Sequence, residues 1–85
     1  MEKEHYLKTV QPHFTDVVNE RKTFEIRKDD RGYEVGDFLF LQEYDPETKR
    51  YSGKQIPRIV THVLRNAPEF GLLDGYCILS IKPIK

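Results

Sequence analysis

Phe24 and Ile26 stand two residues apart in the run Arg21-Lys22-Thr23-Phe24-Glu25-Ile26-Arg27-Lys28-Asp29-Asp30-Arg31. Every other residue of that run is polar, five of them basic and three acidic. A period of two predicts a strand with Phe24 and Ile26 on a buried face. Thr23, Glu25 and Arg27 then align on the opposite face. Upstream, residues His5 to Val10 read as a first short strand, broken by Gln11-Pro12. Phe14, Val17 and Val18 fall at i, i+3 and i+4 and give one apolar stripe to a helix from Pro12 to Asn19. Pro12 suits its first turn, where no N–H is needed. Two helical turns are not stable alone in water, so the helix is expected to pack on a sheet.

Downstream, Asp29-Asp30-Arg31-Gly32 is a turn by composition. Tyr33 to Asp37 forms a second turn, in which Gly36 is expected to take a positive φ. Phe38-Leu39-Phe40-Leu41 is apolar on both faces and predicts a central strand that runs on through Gln42-Glu43-Tyr44 to Asp45-Pro46. Asp45 to Gly53 reads as a polar hairpin loop, and Ile56 to Leu64 as the next strand, with Pro57 confining its start to an edge or a bulge. Asn66 to Asp74 is expected to be a loop with at most one helical turn. Gly75 to Ile81 reads as the last strand, stopped by Pro83. Five strands and one short helix leave no material for two covering helix layers. Curling the sheet into a small barrel buries both faces and removes edges. The chain is thus expected to be mainly β, a five-stranded small barrel with one short helix, in a single domain spanning residues 1–85.

Composition narrows the function classes. The chain has 85 residues, 38% hydrophobic and 33% charged, which fits one globular core rather than disorder. Its formal net charge is zero, whereas a dedicated nucleic-acid binder is usually net basic. Any positive surface is therefore local. The single cysteine, Cys77, excludes an internal disulfide and a thiol zinc cluster, and its apolar neighbours suggest a buried small hydrophobe. No stretch reaches the roughly 18 apolar residues of a membrane span, and the charged Met-Glu-Lys-Glu-His start does not read as a signal peptide. A soluble cytoplasmic protein is expected.

The candidate chemistry lies on the charged strand. Arg27 has the fork geometry to hold a phosphate or carboxylate, and Glu25 can accept hydrogen bonds from a base or amine. The same two residues also make sense as an ion pair bracing the barrel mouth. Lys22 is either a catalytic amine or a lysine paired with Glu25 or Glu20. Lys28 and Arg31 extend the basic character, and Lys49, Arg50 and Lys54 surround a hairpin near Tyr44 and Tyr51, a combination suited to phosphates and stacked bases or simply to a solvated hairpin. His5, His13 and His62 lack ligand spacing, so no metal site is expected. No Gly-rich phosphate loop or nucleophile elbow occurs, and no cofactor is expected.

The run Lys22-Thr23-Phe24-Glu25-Ile26-Arg27 resembles the G-x-K-x-x-E-x-R signature of the ASCH superfamily, whose fold is a PUA-like β-barrel. His5 and Leu7 on the first strand, the helix with Phe14 and Val17-Val18, Val35-Gly36-Asp37, Glu43-Tyr44-Asp45 and Gly75-Tyr76 extend the resemblance over nearly the whole chain, to a small ASCH-like family of bacterial and phage proteins with no assigned function. The signature glycine falls at Glu20. If that position is left-handed, Glu20 carries a small strain or Asn19 takes the role.

The resemblance implies RNA binding, by analogy with PUA domains. It also points to one branch that resembles an amidohydrolase removing an acyl group from a modified cytidine through a lysine, a threonine and a distant glutamate. Lys22 matches that lysine. Glu25 stands where the branch has threonine, and Glu69 is the nearest counterpart of the glutamate by chain order. The expected function is an RNA- or nucleotide-binding module using Lys22, Thr23, Glu25, Arg27, Lys28, Arg31 and Tyr44. The alternative is a small amidohydrolase with Lys22 and Glu25 as its catalytic pair.

Overall fold

The computed structural model describes residues 2–84. Strand β1 (Glu4–Thr9) leads into helix α1 (His13–Val18), followed by β2 (Phe24–Lys28), β3 (Phe38–Asp45), β4 (Arg50–Arg65), a single 3-10 turn at Pro68–Phe70, and β5 (Tyr76–Lys82). The strands form one mixed sheet in the order β1-β3-β4-β5-β2. β1 runs parallel to β3, with Glu4 opposite Phe38 and Thr9 opposite Glu43; every other pairing is antiparallel. The sheet curls into a half-barrel around Leu7, Tyr33, Leu39, Leu41, Val60, Cys77, Leu79 and Ile81, and Val17 of α1 inserts into the same core. The mainly β, barrel-like architecture with one short helix is as the sequence predicts. No helix among the described residues is long and apolar enough to cross a membrane.

The curl brings the two outer strands together without a backbone ladder between them. Side chains span this seam instead. Arg27 Nη2 donates to the Lys8 carbonyl at 2.9 Å and to Thr9 Oγ1 at 3.3 Å, and Arg31 Nη1 donates to the Tyr6 carbonyl at 3.2 Å. The edges are thereby covered by charged side chains, one of the usual ways of blunting an open strand.

Strand β2 reverses the expected face. Phe24 and Ile26 are 40% and 54% exposed, whereas Glu25 is only 3% exposed. The register explains the reversal. Ile26 lies opposite Ile78, which belongs to an outer row with Leu64, while Glu25 lies opposite the buried Leu79. The outer face of β5 thus offers Ile26 an apolar cross-strand neighbour. The inner face offers Glu25 two cations, described below.

Element boundaries also differ. The helix is shorter than Pro12–Asn19, and Val18 of its predicted stripe is exposed. The hairpin loop shrinks to residues 46–49, because β4 begins at Arg50, with Arg50 opposite Asp45 and Tyr51 opposite Tyr44. This outer end of β4 is exposed on both faces from Arg50 to Gln55, so no alternation announces it. Pro57 sits inside the strand, where β4 pairs with β3 alone; β5 joins only from Ile59. Glu20 itself adopts the left-handed conformation (φ 59°), while Asn19 does not (φ −85°). Gly36 has the expected positive φ of 96°.

Buried charges pin the turn before β3. Asp37 accepts bonds from His5 Nε2 at 2.9 Å and from the backbone N–H groups of Lys3 and Glu34 at 3.1 and 3.0 Å. Burial pushes its carboxyl up, but these bonds together hold it below the usual carboxylate range. Arg58, also buried, donates from Nη2 to the Val17 carbonyl at 3.0 Å and so ties the end of α1 to the sheet.

Candidate functional site

The reversed strand places a three-membered ion network at the seam. Glu25 Oε2 accepts from Lys22 Nζ at 2.9 Å, and Oε1 accepts from Arg27 Nη2 at 2.9 Å and Nε at 3.2 Å. Both carboxylate oxygens are therefore satisfied, as a buried charge requires. Lys22 also donates to the Phe24 carbonyl at 2.8 Å and lies 4.9 Å from the centre of the Phe24 ring. These contacts fix the ammonium and leave it one further N–H. Arg27 commits Nε and Nη2; its Nη1 makes no hydrogen bond among the described residues.

This network borders a cleft of about 420 Å3. Thr9, Val10 and Lys8 at the end of β1 form one wall, His13 at the start of α1 closes one end, and Lys22 and residues 24–27 form the other wall. The volume lies in the range of small-molecule sites. Its polar groups are mostly donors, with the Thr9 hydroxyl and Glu25 as the nearby acceptors.

A second cleft, of about 680 Å3, lies on the other side of Val10, between Gln11 and the β3–β4 hairpin. Its character is opposite. Glu43, Asp45 and Glu47 line it against Arg50, with Tyr44 and Tyr51 meeting edge-on at 4.9 Å. Glu43 is held ionised by bonds from Ser52 Oγ at 2.7 Å and Gln11 Nε2 at 2.6 Å, which lower its carboxyl below the ordinary value. Zero net charge thus conceals a cationic seam and an acidic hairpin cleft.

Of the residues singled out from sequence, Lys22, Glu25 and Arg27 converge on the smaller cleft. Thr23 does not line it: this residue is exposed just before β2, and its carbonyl accepts from the Ile81 N–H at 3.0 Å. Lys28 and Arg31 sit further along the seam beside a separate small hollow, and Tyr44 belongs to the acidic cleft. Glu69 lies in the exposed 3-10 turn and lines neither cleft. Thr9 and His13 were not singled out. Thr9 continues the inward parity of His5 and Leu7, so its orientation was legible; its partner, Arg27, was not. Among the described residues, no group of three or more His, Cys, Asp or Glu side chains is placed to hold a metal ion. Cys77 is fully buried, and burial pushes its thiol up, away from reactivity.

A comparison with curated proteins gives no match. Residues 4–81, the strands, helix and seam together, match a family described as a domain of unknown function, and the chain belongs to that family, DUF3850.

Proposed function

We propose that the protein is a binding module for RNA or a nucleotide, and that the base is held in the cleft beside Lys22, Glu25 and Arg27. The observation that carries this reading is the reversal of β2. A strand that leaves Phe24 and Ile26 half exposed forgoes part of the ~1.5–3 kcal/mol that burying each would give. It places a carboxylate and two cations inside instead, an arrangement that is weak or neutral for stability. Local rules are commonly broken in this way at functional sites. The free N–H of Lys22 and the free Nη1 of Arg27 suit carbonyl and ring-nitrogen acceptors of a base, and the Thr9 hydroxyl suits either a donor or an acceptor. The resemblance to the ASCH superfamily, with its PUA-like barrel, favours the same ligand class. Calorimetric titration with nucleosides, nucleotides and short single-stranded and hairpin RNAs at low salt tests the reading. Micromolar to millimolar binding that Lys22→Ala abolishes is expected; no binding of any member sinks it.

The 2.9 Å contact between Lys22 Nζ and Glu25 Oε2 favours a second reading, a hydrolase acting on an acylated nucleoside. In it the carboxylate would relay a proton to or from the lysine. Incubation with a panel of acylated nucleosides, followed by mass analysis, tests this. Release of the deacylated nucleoside and the matching carboxylic acid that is lost in Lys22→Ala would support it, and recovery of the panel intact would exclude those substrates.

A further inference from the structure

Arg27 also lines the smaller hollow of about 150 Å3 in the seam. Leu7 and Tyr33 are its buried members, and Lys28, Arg31 and Asp30 complete its wall. Tyr33 is 2% exposed. Its backbone carbonyl is taken by Arg65 at 3.1 Å, but its hydroxyl makes no hydrogen bond among the described residues. No fully buried side-chain polar atom among those residues lacks a partner. The hydroxyl is therefore not wholly sealed from solvent, and Tyr33 lines this hollow. A phenol so placed is a donor waiting for an acceptor. Burial pushes it up, away from ionisation; Arg31 and Arg27 pull the other way, and Asp30 and Cys77 add to the rise. Arg31 commits Nη1 to the Tyr6 carbonyl, and Lys28 is exposed with no ion pair among the described residues. Three cations and a tyrosine thus line a space with one carboxylate, Asp30. The space corresponds to about five water volumes, enough for a tetrahedral oxyanion.

We propose that this hollow is an oxyanion subsite and that the ligand is a nucleoside monophosphate. Its phosphate lies among Arg27, Lys28, Arg31 and Tyr33, and its base lies in the cleft that shares Arg27. The proposal rests on the nucleotide-binding reading and deepens it. Arg27 serves both groups, Nη1 being its uncommitted end. The acidic lining of the neighbouring cleft opposes continuation of a phosphate chain past Val10, which favours a monoester over a long strand.

The test is a 15N-detected titration of the full chain at low salt with inorganic phosphate, nucleosides, nucleoside 5′- and 3′-monophosphates and a tetranucleotide. It is repeated on Tyr33→Phe and Lys28→Gln. Tyr33→Phe removes only an internally unbonded hydroxyl, so its unfolding midpoint should match the parent. Monophosphates are expected to bind at least tenfold more tightly than nucleosides, with shifts at Arg27, Lys28, Arg31 and Tyr33. Each variant should weaken monophosphate three- to tenfold and leave nucleosides unchanged, the range of a hydrogen bond or ion pair to a charged group. Nucleoside binding with no gain from phosphate, or monophosphate affinity unchanged from the parent in both variants, overturns the subsite and leaves the nucleotide reading standing. Phosphate binding at these residues without nucleoside binding keeps the subsite and removes the nucleotide. A tetranucleotide more than tenfold tighter than the monophosphate overturns the monoester, and binding of nothing overturns both.

Discussion

Glu25→Ala is the most direct probe of the ion network. The substitution removes the acceptor of three hydrogen bonds, one from Lys22 and two from Arg27, at a position 3% exposed. Stripping one partner from a fully buried ion pair costs ~3–5 kcal/mol, because the other charge is left without compensation. Here the orphaned side chains of Lys22 and Arg27 retain 15% and 22% exposure and can partly rehydrate. A loss of about 2–3 kcal/mol is therefore expected, at or just below the foot of that range. With a urea slope of ~1 kcal/mol/M for a domain of this size, the midpoint falls by about 2–3 M. The melting temperature falls by about 10–20 °C. The chain has five Tyr and no Trp, so tyrosine fluorescence and far-UV circular dichroism should report the transition together. A double-mutant cycle with Arg27→Ala should show a coupling of ~1–2 kcal/mol, beyond the ~0.5 kcal/mol scatter of independent sites. Additivity within that scatter, or a single-mutant loss under about 0.5 kcal/mol, would refute the view that the three charges act as one buried unit.

Four further outcomes are expected. Asp37 has a folded-state pKa below its ordinary 3.8, so its stabilisation is complete above that value and is lost as pH falls below it. Denaturation followed from pH 6 to pH 2 should show that loss, and Asp37→Asn should lower stability at pH 6 and flatten the acid limb. Glu20→Gly relieves a left-handed residue at φ 59° and should raise stability by about 0.5–1 kcal/mol in urea unfolding, the strain relief exceeding the added chain entropy. Arg58→Met leaves the Val17 carbonyl without its donor at the end of α1; a loss of ~1–3 kcal/mol in the same assay is expected. Cys77, fully buried with its thiol raised, should react with an aromatic disulfide reagent only as fast as the protein unfolds, and fast native-state labelling would contradict its placement.

Much of the fold is legible locally. The double-faced apolar run Phe38–Leu41 announces the central strand because both of its faces meet packed neighbours. Gly36 marks its turn because that backbone conformation excludes most side chains. The extent of β4 is less legible. Its outer end, Arg50–Gln55, projects as an exposed ribbon and therefore carries no burial pattern to read. The left-handed position after α1 was visible as a departure from the glycine of the signature, but whether Glu20 or Asn19 would absorb it depended on the bonds from the Arg21 and Lys22 N–H groups to the Asp16 carbonyl.

By itself the sequence determined that Phe24 and Ile26 face one way and Glu25 and Arg27 the other, since a strand alternates whatever surrounds it. It also grouped Lys22, Glu25 and Arg27 on one short stretch. Which of those two faces turned inward was decided by the tertiary structure alone. The register with β5 matched Ile26 to an apolar outer row, and the curl of the sheet carried β1 to within reach of Arg27. Alternation fixes relative orientation, but the inside of a sheet exists only once distant strands have closed around it. A buried carboxylate becomes tolerable there only when its two cations arrive with it.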